Sequence, residues 1–372
     1  MTRPLPGAPG LEFGTDRASV PLASRIQGAI TSVGTKVIPW IPTALRRGLV
    51  RSRSVIIDGN TLDPTLQLML SGLRAVGIDG LVVDDDPQAS RTQLREQIVG
   101  LPGPQIHVDV AALSLPGPAG AIPARHYRPV DGAAAPLLVF YHGGGWSIGD
   151  LDTYDALCRL ICRDAGIHVL SIDYRLAPEH PAPAAIEDAY AAFTWSYEHA
   201  EELGAIPGRV AVGGDSAGGN LAAVVSQIAR DEGAPAPVLQ WLIYPRTDFT
   251  AQSRSLTLFS RGFVLTKRDI DWFESQYLRR SDLDRTDPRV SPALAESLTG
   301  LAPALIAVAG FDPLRDEGES YAEALRAAGV AVDLRYLGSL THGFINLFRL
   351  GGDSMVATSE LISALRAHLS RV

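Results

Sequence analysis

The chain has 372 residues, 46% of them hydrophobic, and sets 41 acidic side chains against 33 basic ones, for a net charge of −8. That length buries one large core or two modest ones, and the acidic balance argues against a nucleic-acid or anionic-membrane partner. The two cysteines, Cys158 and Cys162, lie four apart with no neighbouring His or Cys to complete a metal set, so they read as reduced packing residues.

Met1 to Gly10 is rich in Pro and Gly and lacks the apolar stretch of a secretory leader. No apolar run approaches the ~18 residues needed to cross a bilayer. A soluble, cytoplasmic protein is the expectation. Residues 1 to about 100 read as helical and irregular, with helices over 64–76 and 90–98. Strand and helix patterns then alternate. Two strands, 106–115 and 124–129, flank Pro116-Gly117-Pro118-Ala119-Gly120. The apolar run 136–141 suits a buried strand and stops at His142-Gly143-Gly144-Gly145-Trp146. A helix over 154–165, a strand over 168–174 and a long helix over 184–203 follow. Strand 210–213 runs into a glycine-flanked serine, then a helix covers 221–231 and a strand 238–244. Strands 304–309 and 332–337 close the sheet, and a helix over 354–369 ends the chain. This alternation predicts an α/β protein with a doubly wound, mostly parallel sheet.

Residues from about 248 to 289 interrupt the alternation and carry Phe249, Phe259, Phe263, Trp272, Phe273 and Tyr277. They and the N-terminal region could be two surface excursions with separate small cores. The reading favoured is a lid, because ligands of open α/β sheets bind beyond the carboxyl ends of the strands. The expected organisation is an N-terminal region 1–100 contributing to a cap, a catalytic core of 101–247 and 290–372, and a cap insertion at 248–289.

Gly214-Asp215-Ser216-Ala217-Gly218-Gly219-Asn220 joins an apolar strand to an alanine-rich helix. Such a turn pushes Ser216 above the sheet, and the helix directs its positive end to where negative charge would grow. A serine nucleophile needs a base, and the base needs an orienting acid. Of the eight histidines, only His342 lies in the loop that follows the last predicted strand. Asp312 follows the strand before it and is the orienting acid expected, with Asp316 or Glu317, in the first turn of the next helix, as alternatives. Gly144 and Gly145, with the N–H of Ala217, are the expected oxyanion donors. His142, Gly143 and Asp215 are read as supports of the motif. A phosphate loop is disfavoured because no Gly-Lys-[Ser/Thr] follows the glycines.

These motifs resemble the hormone-sensitive-lipase-like branch of α/β-hydrolase esterases, bacterial family IV. The matching elements are His142-Gly143-Gly144-Gly145-Trp146, the run from Asp173 to Pro181, Gly214 to Asn220, Asp312 to Gly318 and His342-Gly343-Phe344. One departure is Ala182, where the family usually has an aromatic. The resemblance implies an α/β-hydrolase fold and a cofactor-free, metal-free carboxylesterase acting on short to medium acyl esters. It implies a helical cap and a Ser216, Asp312, His342 triad. A small-molecule ester is the partner implied, and monomer or homodimer stays open. Amide or arylformamide cleavage on the same groups, or a non-catalytic ligand-binding relative, are the other readings. A histidine base acts only when neutral, so activity is expected to fall below about pH 6.

Overall fold

The computed structural model describes residues 37–50 and 53–371. The Pro/Gly-rich start, and with it the first part of the expected 1–100 region, lies outside the described residues. Ahead of the sheet stand α1 (Thr43–Val50), α2 (Pro64–Ala75) and α3 (Pro87–Val99). Helices α2 and α3 each place Pro at the first helical position behind an Asp whose side chain accepts from a first-turn N–H. Both devices satisfy or remove donors that a helix start leaves unpaired.

The described residues form an eight-stranded sheet with β1 (Asp109–Gly117), β2 (Gly120–Arg128), β3 (Ala135–Tyr141), β4 (His168–Ile172), β5 (Ala205–Asp215), β6 (Gln240–Ile243), β7 (Ala304–Phe311) and β8 (Val332–Thr341). Their order across the sheet is β8-β7-β6-β5-β3-β4-β2-β1. From β8 to β4 all pairs are parallel, whereas β2 pairs antiparallel with β4 and with β1. Pro118-Ala119 forms the tight connection between β1 and β2, where Gly117 opposes Gly120.

Strand β3 shows why both faces need helices. Leu137, Val139 and Tyr141 enter one core, and Leu138 and Phe140 enter the other, as the two-residue period of a strand requires. The first core is covered by α5 (Ala184–Glu198), α6 (Ala217–Asp231) and α9 (Arg315–Ala327). The second is covered by α4 (Asp155–Ala165) and α10 (Gly352–Leu369). Several element ends differ from expectation, three of them for a plain physical or positional reason. The helix expected over 184–203 stops at Glu198, because the chain must turn through Gly204 at φ +77° before β5 begins. The strand from His168 ends at Ile172, two residues early. Helix α6 starts at Ala217 rather than 221, since the weak helix formers Gly218 and Gly219 are held by burial.

Two segments outside the alternation share one small core. Val82 joins Ile148, Leu256, Leu265, Ile270, Trp272, Phe273 and Leu314, with Leu81 and Leu94 packed against them. Here lie α7 (Arg254–Leu258) and α8 (Lys267–Tyr277). Asp269 ties the two segments. Its Oδ1 accepts from the N–H of Val82 at 3.0 Å, while its Oδ2 accepts from the N–H and hydroxyl of Thr266 at 2.9 and 2.7 Å.

Candidate active site

Ser216 is the single residue between the end of β5 and the start of α6. Its backbone sits at φ +55°, ψ −118°, outside the regions L-residues prefer. Such a conformation costs on the order of 1–3 kcal/mol and persists only where the surroundings impose it. They do so here: the Ser216 N–H donates to Ile243 at 2.8 Å and its carbonyl accepts from Asn220 at 3.0 Å. A Cβ at Gly214 or Gly218 would run into the Tyr141 carbonyl, so this close approach of strand and helix needs glycine at both places.

His342 follows β8 directly, and Asp312 follows β7 directly. Parallel neighbours end at one edge of a sheet, so these loops meet the serine turn. His342 Nε2 lies 2.9 Å from Ser216 Oγ, and its Nδ1 lies 2.8 Å from Asp312 Oδ2. Asp312 is fully buried, and its Oδ1 is pinned by the Leu314 N–H at 2.8 Å. The alternative acids point elsewhere. Asp316 accepts from the Ser255 N–H at 2.7 Å, and Glu317 turns to Arg246 and to the Thr247 N–H at 2.7 Å.

The glycine loop after β3 is fastened from below. The Gly143 N–H donates to Asp215 Oδ1 at 2.8 Å and approaches the Tyr154 hydroxyl at 3.0 Å. Asp215 Oδ2 accepts from Tyr154 and Tyr244 at 3.1 and 3.2 Å. Burial pushes the Asp215 carboxyl above the usual range, while His342 and the Gly143 N–H pull it down. Gly143 is thus engaged as a support. Gly144 and Gly145 adopt φ +115° and +56°, and among the described residues their N–H groups donate to no protein acceptor. A side chain at Gly145 would enter the Phe273 ring. His142 braces the loop: its Nδ1 lies 2.8 Å from the Gly143 carbonyl, and its ring stacks on Tyr174 at 4.3 Å.

A cavity of about 130 Å³ opens over Ser216, Ala217, Gly144, Gly145 and His342. Its walls come from both segments outside the alternation: Met69, Leu70, Leu73 and Ile98 on one hand, Val264, Leu265 and Phe273 on the other. Phe249 packs instead against Trp146, and Phe263 against Phe259 and Phe311. Two charged lining residues, Arg246 and Glu274, escape sequence reasoning. Arg246 is ion-paired to Glu274 and Glu317, and burial pushes the Glu317 carboxyl up to about 7 against the pull of Arg246. Among the described residues no three His, Cys, Asp or Glu side chains gather as a metal site.

The arrangement can deprotonate a serine hydroxyl, hold the resulting imidazolium beside a carboxylate, and offer free N–H groups to an oxyanion. Fold and site together define an α/β hydrolase with a serine, a histidine and an aspartate in hydrogen-bonded line. The profile of a family described by the alpha/beta hydrolase fold matches residues 138–346. The carboxylic ester hydrolase LipN of Mycobacterium tuberculosis is 72% identical over 377 residues, covering 100% of both chains. The carboxylesterase NlhH of the same organism is 40% identical over 314 residues, 83% of this chain and 96% of its own. A hyperthermophilic esterase from the archaeon Pyrobaculum calidifontis superposes with a TM-score of 0.75 at 38% identity, over 82% of this chain and 98% of its own. An ester hydrolase from the metagenome of Lake Arreo gives 0.78 at 41% identity, over 83% and 99%. The chain belongs to the hormone-sensitive-lipase-like family of α/β hydrolases. Among the described residues no helix is long and apolar enough to cross a membrane.

Proposed function

We propose that this carboxylic ester hydrolase works by acyl transfer through Ser216 on short to medium acyl esters. His342 Nε2 takes the Ser216 proton as Oγ attacks the ester carbonyl carbon. The C=O π bond opens, and the oxyanion is received by the N–H groups of Gly144, Gly145 and Ala217. Asp312 keeps the proton on His342 Nδ1, so that Nε2 is the free base, and it stabilises the imidazolium that forms. The alcohol departs with the proton from Nε2 as the C–O bond breaks. Water, deprotonated by the same nitrogen, then attacks the acyl-enzyme and releases the acid.

The observation that carries this reading is the continuous chain of contacts, 2.9 Å from Ser216 Oγ to His342 and 2.8 Å from His342 to Asp312. We assign the cap to the N-terminal region within 1–100 and to 248–289, and the catalytic core to 101–247 and 290–372. What supports this division is that both segments line the cavity over Ser216. The test is hydrolysis of p-nitrophenyl butyrate by the wild type and by Ser216→Ala. Turnover that vanishes in the variant is expected, and a wild type without turnover, or a variant that keeps it, overturns the reading.

A further inference from the structure

The cavity over Ser216 is lined by two unlike groups of residues. On the segment that follows His342, Leu347 lines it together with Met69, Leu70 and Leu73 of α2, all in one apolar cluster. Exposed Arg74 and Asp79 line both this cavity and a second depression. The other group holds a charged pair, Arg246 and Glu274. The Arg246 N–H lies 3.4 Å from the Ser216 carbonyl, so its side chain starts beside the nucleophile. Glu274 lies on α8 next to Phe273, whose ring fills the space above Gly145.

These charges are fixed in place. Arg246 is 4% exposed and Glu274 is 7% exposed. Arg246 is held by Glu274 and Glu317 and lies 5.1 Å over the Phe249 ring, and Glu274 is held again by Arg285 at 2.7 Å. Moving either partner aside for a growing alkyl chain would break a buried ion pair and pull apart the network that Glu317 and Arg285 complete. An alkyl chain pressed against this wall would displace no water from apolar surface, so it would gain little.

His342 decides which part of an ester meets which end. The leaving oxygen must take its proton from Nε2, so the alcohol lies on the side of His342, whose own segment brings Leu347 to the cavity. The acyl group is left with the elbow side. We infer that the Arg246–Glu274 pair closes the acyl side of the cavity, so that the preferred substrate joins a short acid to an extended apolar alcohol. The inference rests on the acyl-transfer reading above and narrows it.

The test is kcat/KM of the full-length protein along two series: p-nitrophenyl acetate through decanoate, and acetate esters from ethyl through decyl. The acyl series is expected to fall at least tenfold from butanoate to octanoate. The alcohol series is expected to rise, by at most about fourfold per methylene buried. An Arg246→Leu/Glu274→Leu double variant should raise the octanoate-to-acetate ratio at least tenfold, with the decyl-to-ethyl ratio held within twofold. Leu70→Trp probes the other end even if the double variant fails to fold. It should depress decyl acetate and leave the octanoate-to-acetate ratio alone. A wild type that takes octanoate as readily as acetate, a folded double variant with an unchanged ratio, or a Leu70→Trp variant that loses octanoate instead would overturn the inference. If Ser216→Ala abolishes turnover while the two series behave alike, this inference fails alone. If turnover survives in Ser216→Ala, the acyl-transfer reading fails and takes it along.

Discussion

Removing the Ser216 hydroxyl is expected to lower kcat by at least ~10⁴-fold while leaving the urea midpoint close to wild type, and Asp312→Asn is expected to cost about 10⁴-fold by favouring the wrong imidazole tautomer. A stopped assay on the purified variants checks both. Gly145→Ala should also lose activity, by about 10²-fold or more, because its Cβ meets the Phe273 ring and φ +56° disfavours it. Asp215 acts at one remove. It touches no reacting atom, yet it fixes Gly143 and through it the two glycines that follow. Asp215→Ala should therefore lower kcat more than it raises KM, and a variant with the reverse pattern would show the carboxylate to be only a packing group. Ser216, Asp312 and His342 were legible because each follows a strand within a residue or two, and strand ends of a parallel sheet share an edge. Arg246 and Glu274 were not. Their partnership joins positions 28 apart, and that with Glu317 joins positions 71 apart, so no local spacing announces either.

Helix α8 begins at a capping box, in which the Thr266 side chain accepts from the Asp269 N–H and Asp269 accepts in return. That spacing, Thr266-Lys267-Arg268-Asp269, was available in the chain as a signal for the helix start. Nothing in it disclosed the third bond, from Val82, which clasps the two segments over the site. Asp269 is nearly fully buried, so Asp269→Ala leaves the Val82 N–H unpaired and should cost about 1–3 kcal/mol. Urea unfolding reads the loss of stability, and a raised KM reads the loosened cover. An unchanged midpoint would mean that water replaces the carboxylate. Element ends were harder to read than their centres for a related reason. Ala217-Gly218-Gly219-Asn220 has poor intrinsic helix propensity and is helical only because Tyr141 and Pro245 close around it.

At the scale of the whole molecule, two cores back to back on one sheet make stability depend on groups far from the site. His126 on β2 and His168 on β4 stack with ring centres 5.2 Å apart, and His126 Nε2 lies 3.1 Å from His168 Nδ1. Burial first, then the charge of His168, holds the His126 imidazole down to about 4, and burial lowers His168 as well. An unfolded chain takes up these protons near pH 6.5. Stability from the pair is therefore complete above about pH 6.5 and drains away as the pH falls towards 4, with His126 contributing on the order of 3 kcal/mol. Urea midpoints at pH 7 and pH 4.5 check this, and His126→Gln should flatten the difference. The two-sided core also sets the fate of Cys158 and Cys162, both buried on α4. Burial pushes the Cys162 thiol up to about 12 and that of Cys158 higher still, so neither forms thiolate in the folded protein. The pair is a built-in clock for unfolding. A maleimide dye should stay colourless on the native enzyme and bind only as molecules open, at a rate set by the population of the open state.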